Sequence, residues 1–136
     1  MKQRVLFLCT GNSARSQLAE GLLRHLAGDR FEVFSAGTVP VGVNPAAVEV
    51  MNEIGIDISS QWSKSVEEYA GQDFDVVFTL CDYARETCPI YSGGTKQLHQ
   101  NFEDPTWASS DGRLEAFRRV RDKIAERLKQ FIASGQ

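Results

Sequence analysis

The sequence has no long apolar run and no excess of positive charge, and each absence excludes a class of protein. No apolar stretch approaches the roughly 20 residues that a membrane-spanning helix needs, and no basic segment precedes an extended apolar one as in a secretion signal. Lys and Arg number 15 against 18 Asp and Glu, which gives a net charge of -3 and no support for nucleic-acid binding. We expect a cytoplasmic protein that binds neither nucleic acid nor membranes.

Histidine and cysteine are also scarce, with two and three residues respectively. His25 and His99 lie far apart, and neither has a neighbouring Cys or His at ligand spacing, so we expect no metal site. The three cysteines are Cys9, Cys81 and Cys88. An odd number of cysteines in a cytoplasmic chain is not typical of a structural disulfide framework, and this favours thiols that take part in chemistry.

Strand and helix patterns alternate along the chain. Buried strands are predicted at 4–8, 31–35 and 75–80, with a weaker one at 97–102, and helices at 13–26 and about 44–54. Leu18, Leu22 and Leu26 mark one face of the first helix. The last helix is long and amphipathic, with an apolar face of Leu114, Phe117, Val120, Ile124, Leu128 and Phe131.

This alternation predicts an α/β fold: a single three-layer domain over residues 1–136, in which helices cover both faces of a four-stranded parallel sheet. In such a fold ligands bind beyond the carboxyl ends of the strands. Cys9 and Cys81 both follow predicted strands, and we therefore expect them at this edge.

The string CTGNSARS, which begins at Cys9, joins the first strand to the first helix. Backbone amides at a helix N-terminus favour an anion, and Arg15 adds a guanidinium six residues after the thiol. Gly11 is expected to supply a positive φ, and Asn12 tolerates the left-handed region. Such a loop favours the thiolate of Cys9 and its attack on a tetrahedral oxyanion such as phosphate or arsenate. The alternative is a buried structural cysteine beside an unrelated arginine.

The sequence resembles a known family at several places. CTGNSARSQLAEG resembles the anion loop of the low-molecular-weight tyrosine phosphatase fold, and Asp104 with Pro105 resembles that family's general-acid loop. VVFTLC at 76–81, with Cys88 and Pro89 after it, is similar more narrowly to the thioredoxin-coupled arsenate reductases. SAG at 35–37, GVNP at 42–45, GIDIS at 55–59 and FRRVRD at 117–122 extend the similarity over nearly the whole length.

The resemblance implies a thiol relay that detoxifies arsenate without a bound cofactor. Cys9 would attack arsenic and Asp104 would protonate the departing oxygen. Cys81 would attack Cys9 and release arsenite, Cys88 would attack Cys81, and thioredoxin or another thiol reductant would reduce the final disulfide. The implied oxyanion-binding residues are Thr10, Gly11, Asn12, Ser13, Ala14, Arg15 and Ser16. The implied ligand is arsenate, with phosphate or sulfate as analogues, and we expect a monomer.

The resemblance also implies residues that support the loop: Asn12, Ser16, Glu20, Ser35 and Lys64. Ser16 is expected to hydrogen-bond the Cys9 thiolate. Some related reductases bind a monovalent cation here, with an acidic residue where this chain has Lys64. The ammonium of Lys64 either replaces that cation and pairs with Glu20, or is merely solvated.

Two other functions remain open. A phosphatase would use Cys9, Arg15 and Asp104, and weak phosphatase activity is also compatible with the reductase. Phosphatases of this fold usually have an aromatic residue directly after Asp-Pro, whereas this chain has Thr106. A thiol redox sensor or arsenite binder would need Cys81 and Cys88 but would have no use for the anion loop.

The segment between Cys81 and Cys88 has helical character. Seven helical residues rise roughly 10 Å, whereas the two Cα atoms of a disulfide lie within about 7 Å of each other. We therefore expect this segment to unwind when the two cysteines form a disulfide.

Overall fold

A computed structural model describes residues 2–87 and 95–136 of the chain. The four strands are β1 (Gln3–Cys9), β2 (Phe31–Gly37), β3 (Val76–Thr79) and β4 (Lys96–His99), and all pair in parallel in the order β2-β1-β3-β4. The helices in these ranges are α1 (Arg15–Ala27), α2 (Pro45–Asn52), α3 (Asp82–Thr87) and α4 (Arg113–Ser134). Short 3-10 helices lie at Val66–Tyr69 and Pro105–Trp107. The predicted fold class is confirmed.

The inner strand β1 is apolar and buried from Val5 to Cys9 because both faces of the sheet are covered there. Val5 and Phe7 face a core that includes α1, α2 and α4. Leu6 and Leu8 alternate with them and pack on the opposite face with Ala84 of α3. A strand buried on both sides has no solvent-facing position, which explains a continuous rather than an alternating apolar run.

The structure corrects one predicted face and several predicted boundaries. Leu18 and Leu22 are buried, but Leu26 is 39% exposed and Leu23 is buried instead. Residues 15–23 of α1 are buried on every side, whereas the last turn is exposed except for Ala27. Apolar spacing predicts the side of a helix that faces the core, but not how far along the helix its neighbours reach.

The other predicted elements differ mainly at their ends. α1 begins at residue 15 rather than 13, α2 ends at 52, and β4 covers 96–99 rather than 97–102. Asn44 caps α2, since its side chain accepts a hydrogen bond from the N–H of Ala46. Leu114 is half-buried beside the core, whereas the other five apolar residues of the α4 face are buried.

The parallel register brings several functional candidates to one edge. Cys9 pairs with Gly37, and Thr79 pairs with both Leu8 and His99. Cys81 follows β3 by two residues, so it lies at the same carboxyl edge as Cys9. In the described ranges, no helix has both the length and the apolar character needed to cross a membrane.

Candidate active site

The shape of the loop from Cys9 to Arg15 depends on one residue with a left-handed backbone and on the close approach of β2 to the loop. Asn12 has a φ of 46°, whereas Gly11 is not among the residues with positive φ, so that part of our prediction was wrong. Gly37 of β2 lies against the loop: a Cβ there would be 2.7 Å from the carbonyl oxygen of Thr10 and 2.8 Å from the N of Asn12. Because glycine has no Cβ, Gly37 allows β2 to lie this close to the loop.

The segment after β2 holds the outside of this loop through its backbone. The N–H groups of Val39 and Val41 donate to the carbonyl oxygens of Thr10 and Gly11 over 2.8 and 3.0 Å. The N–H of Asn44 donates to the carbonyl of Ser13 over 3.0 Å. These bonds fix the loop backbone before any ligand arrives.

A chain of hydrogen bonds connects the Cys9 sulfur to a buried carboxylate. Asn12 Nδ2 donates to Ser16 Oγ over 2.7 Å and to Ser35 Oγ over 3.0 Å. Ser35 in turn donates to Glu20 Oε1 over 2.5 Å. Because Ser16 Oγ accepts from Asn12, its own hydrogen is available to Cys9 Sγ, which lies 2.8 Å away. This chain orients the Ser16 hydroxyl as a donor to the Cys9 sulfur.

Lys64 lies at the far end of this chain and is 4% exposed. Its N–H donates to Asn12 Oδ1 over 2.8 Å, which fixes the amide orientation of Asn12. Its Nζ donates to the carbonyl of Trp62 and lies 3.8 Å from Glu20 Oε1. Burial lowers the pKa of Lys64, and the negative charge of Glu20 opposes that shift. Arg24 also pairs with Glu20, at 2.9 Å.

Arg15 and Asp104 meet above the loop. Arg15 is 8% exposed, and its Nη1 donates to the carbonyl of Phe102 over 3.0 Å. Its Nη2 lies 3.5 Å from Asp104 Oδ2. The other carboxylate oxygen, Oδ1, accepts from the N–H of Thr106 over 3.0 Å and from its hydroxyl over 2.6 Å. The Asp104 carboxylate is thus held beside the guanidinium.

Cys81 is a second buried thiol near the same loop. Its Sγ lies 3.4 Å from Thr10 Oγ1 and accepts from the N–H of Ala84, also over 3.4 Å. Neither Cys9 nor Cys81 is in a disulfide, and the two residues are 2% and 4% exposed. Thr10 follows Cys9 and contacts Cys81, and so links the two thiols. Cys88 lies outside the described residues.

Two clefts open onto this arrangement, and Thr10, Arg15 and Asp104 line both of them. One has a volume of about 490 Å³, contains Cys9, and has an apolar wall that includes Val39 and Val41. The other has a volume of about 690 Å³ and contains Cys81, Tyr83 and Trp107. A ligand on the Cys9 loop would therefore be approachable from two sides.

Sequence reasoning missed several contacts of the site. Gln17 is fully buried and donates to the carbonyls of Asn12 and Trp62 over 3.0 Å each. A glutamine within the buried part of α1 was a signal for such a role, because buried amides need partners. The contacts of Thr10 with Cys81 and of Thr106 with Asp104 had no periodic signal, since Thr10 lies in a loop and Thr106 in a 3-10 helix of only three residues.

Comparisons with known proteins define the class. A family model, low molecular weight phosphotyrosine protein phosphatase, matches residues 4–135. An arsenate reductase of Halalkalibacterium halodurans is 44% identical over 137 residues, with 99% of each chain covered. A solved arsenate reductase in the phosphate-binding state superposes with a TM-score of 0.78 and 37% identity, covering 98% of both chains. A thioredoxin-dependent arsenate reductase of Corynebacterium glutamicum gives a TM-score of 0.74 and 32% identity over 98% of this chain and 63% of that one.

The fold and the match define a protein of the phosphatase fold, in which the Cys9 loop is the candidate active site. The chain belongs to the low molecular weight phosphotyrosine protein phosphatase family. Within that family its similar relatives include arsenate reductases that match it from end to end.

Proposed function

We propose that this protein reduces arsenate to arsenite through Cys9, Cys81 and Cys88, with thioredoxin as the reductant of the final disulfide. The observation that carries the proposal is the pair of free, buried thiols: Cys9 directly precedes Thr10, and Cys81 contacts the Thr10 hydroxyl. A phosphatase needs the first thiol but has no use for the second. The names of the full-length relatives and of the Corynebacterium glutamicum structure support the reaction and the reductant.

In the first step the Cys9 thiolate forms a bond to arsenic, and one arsenate oxygen leaves as water. The residues from Thr10 to Ser16 and the guanidinium of Arg15 would hold the remaining oxygens. Asp104 lies 3.5 Å from Arg15 and would donate the proton to the departing oxygen. Ser16 donates to the Cys9 sulfur and so stabilises the thiolate before attack.

In the second step Cys81 attacks the sulfur of Cys9. The sulfur–arsenic bond breaks and its electron pair stays on arsenic, which leaves as arsenite, while Cys9 and Cys81 form a disulfide. Cys88 then attacks Cys81 and releases Cys9 as a thiolate. Thioredoxin supplies the two electrons that reduce the Cys81–Cys88 disulfide, so the cycle needs no bound cofactor.

The loop-supporting residues fit the same proposal. Asn12, Ser16, Ser35 and Glu20 form one hydrogen-bonded chain that leads to the nucleophile. Lys64 closes this chain with a buried ammonium near Glu20. We infer that Lys64 takes the place that a monovalent cation occupies in some related reductases.

A phosphatase is the second candidate, because Cys9, Arg15 and Asp104 line one cleft with an apolar wall. Thr106 follows the Asp-Pro pair and binds the Asp104 carboxylate, so its side chain offers no ring to sandwich an aryl substrate. We therefore expect phosphate monoester hydrolysis only as a weak side activity that uses the same nucleophile.

The test is arsenate-dependent NADPH consumption with thioredoxin and its reductase, repeated with the glutathione system. Cys9→Ser should abolish both arsenate reduction and aryl phosphate hydrolysis, because both begin with that nucleophile. Cys81→Ser and Cys88→Ser should abolish multiple turnover of arsenate but spare aryl phosphate hydrolysis. The three variants are matched, since each replaces one sulfur by oxygen.

Each result separates two possibilities. Sustained arsenate turnover by Cys88→Ser with thioredoxin would show that the relay ends at Cys81. Hydrolysis without any arsenate reduction in the parent chain would establish the phosphatase instead.

A further inference from the structure

Asp82, the first residue of α3, forms hydrogen bonds with the last residue of β4 and with the segment that follows β4. Asp82 Oδ1 lies 2.9 Å from Nε2 of His99, and the backbone N–H of Asp82 donates to Oδ1 of Asn101 over 3.1 Å. Asp82 directly follows Cys81, so these bonds hold the residue next to the second thiol. Asp82, His99 and Asn101 are called the α3 clamp below.

His99 is itself held at its other ring nitrogen. Nδ1 lies 2.8 Å from Thr79 Oγ1, and the two residues are directly paired between β3 and β4. The side chain of His99 is 19% exposed, compared with 58% for Asp82. The guanidinium of Arg85 also lies near this carboxylate, 3.8 Å from the same Oδ1. With both nitrogens engaged, the imidazole has a fixed orientation towards α3.

The position of α3 affects the sulfur of Cys81 directly. The N–H of Ala84, in the first turn, donates to Cys81 Sγ over 3.4 Å. An N–H at a helix start stabilises a thiolate and restricts where the sulfur lies. The described part of α3 has six residues, and a helical segment of that length is not stable without tertiary contacts. The packing of Ala84 against the sheet and the contacts of Asp82 therefore together determine where this N–H points.

We propose that the α3 clamp positions Cys81 for its attack on Cys9. The clamp holds the first turn of α3 so that the Ala84 N–H and the Thr10 hydroxyl keep the sulfur beside the Cys9 loop. The inference rests on the proposed function, in which Cys81 forms a disulfide with Cys9 and the electron pair of the sulfur–arsenic bond stays on arsenic. Among the described residues, His99 bonds to Thr79 and Asp82 rather than to the oxyanion loop or to the sulfur of Cys9 or Cys81, so it acts as a positioning residue.

The test uses the Cys88→Ser variant, in which the reaction stops at the Cys9–Cys81 disulfide. The single-turnover rate of arsenite release then reports the attack by Cys81. Adding His99→Ala should slow it by about fivefold, the factor expected for one ordinary hydrogen bond. Asp82→Ala should have a similar effect, and the two together little more, because both remove the same bond. Asp82→Asn keeps an acceptor oxygen and should retain most of the rate. The control is Arg85→Ala, which leaves both clamp bonds in place.

Two further measurements distinguish positioning from general damage. Alkylation of Cys9 by iodoacetamide should proceed at the parent rate in the His99→Ala variant, because the Cys9 loop does not contact the clamp. Amide hydrogen exchange of Ala84 in the reduced protein should be faster in the His99→Ala variant than in the parent.

The proposal would be overturned if His99→Ala left the rate of arsenite release unchanged. It would also be overturned if His99→Ala slowed Cys9 alkylation by the same factor as arsenite release. A Cys88→Ser parent that releases no arsenite would instead overturn the proposed function. The exchange rate of Ala84, which needs no arsenate, would still show whether His99 holds α3.

Discussion

Asn12 fixes three parts of the candidate site: the turn of the loop, the Ser16 hydroxyl and the segment at Lys64. Its left-handed backbone turns the loop, its amide nitrogen donates to Ser16 and Ser35, and its amide oxygen accepts from the backbone of Lys64. Because a carboxylate in its place would lack the donor, Ser16 would no longer be forced to direct its own hydrogen towards Cys9.

If Lys64 replaces a bound cation, potassium should not activate this protein. Burial lowers the pKa of Lys64 despite the nearby Glu20, so the charged form is costly in the folded state. We expect its contribution to be support of the Cys9 loop rather than stability. Parent arsenate turnover should not change when potassium chloride replaces choline chloride at equal ionic strength. Lys64→Ser opens space beside Glu20, so its turnover should fall about fivefold in choline and recover in potassium.

Potassium activation of the parent chain would contradict this assignment. So would a Lys64→Ser variant that turns over arsenate equally well in both salts. Arg24→Ser is a suitable control, since Arg24 also pairs with Glu20 but is half-exposed.

At the scale of elements, the site depends on how closely β2 approaches the loop between β1 and α1. The isolated bridge between Gly37 and Ser65 and the bond from the Gly37 N–H to the carbonyl of Lys64 tie the end of β2 to the 64–65 segment. The same segment holds Asn12. β2 therefore supports the loop from one side while α1 continues it.

Gly37→Ala tests this approach. The added Cβ would meet the Thr10 carbonyl at 2.7 Å and the Asn12 nitrogen at 2.8 Å, both backbone atoms that cannot move aside alone. We expect a loss of about 1–3 kcal/mol in the free energy of unfolding. We also expect the rise in melting temperature that phosphate causes to become much smaller, because the anion binds the folded loop.

Gly112→Ala is the matched control, because its Cβ would find its nearest neighbour, Ser109 Oγ, at 3.8 Å. It should leave phosphate stabilisation unchanged. A Gly37→Ala variant with the parent's phosphate response would show that the loop tolerates displacement.

At the scale of the whole molecule, a charge of the candidate site affects a residue in the apolar cluster on the opposite face of the sheet, where Leu6 and Leu8 pack. Tyr69 packs there edge-on against Phe34 and Phe74. Burial raises the pKa of Tyr69 from 10.0 to about 12, and the negative charges of Glu20 and Glu68 act in the same direction. The same Glu20 carboxylate that anchors the Asn12 chain therefore disfavours ionisation of a tyrosine in the other layer.

This shift predicts alkaline destabilisation. The unfolded chain loses the Tyr69 proton near pH 10 while the folded chain keeps it to about 12, so the folded state binds more protons in that window. Stability that is fully present below pH 10 is then lost as the pH rises towards 12. Tyr69→Phe keeps the ring contacts and should show a flatter decline, measured by urea unfolding across this window.

Lys64 is present in both chains, so its opposite pH dependence cancels in the comparison. Equal slopes for the parent and Tyr69→Phe would show that Tyr69 ionises equally in both states.

The order and type of the elements, and the candidate nucleophile, follow from the amino-acid sequence alone. Continuous apolar runs on buried strands, the Asn44 cap, and the Cys9 to Ser16 spacing are local properties, and local properties survive into the fold. The resemblance of those motifs also predicted the family. Even the helix between Cys81 and Cys88 followed from composition alone.

Which residues meet across the sheet depends on how the chain folds, and no local pattern in the sequence predicted it. The contacts of Thr10 with Cys81, of Lys64 with Asn12 and of His99 with Asp82 join segments 17 to 71 residues apart in the chain. The exposure of Leu26 and the ordinary φ of Gly11 were likewise set by neighbours rather than by spacing. Periodicity reports which side of an element is apolar, whereas strand order and register determine which polar side chains share an edge.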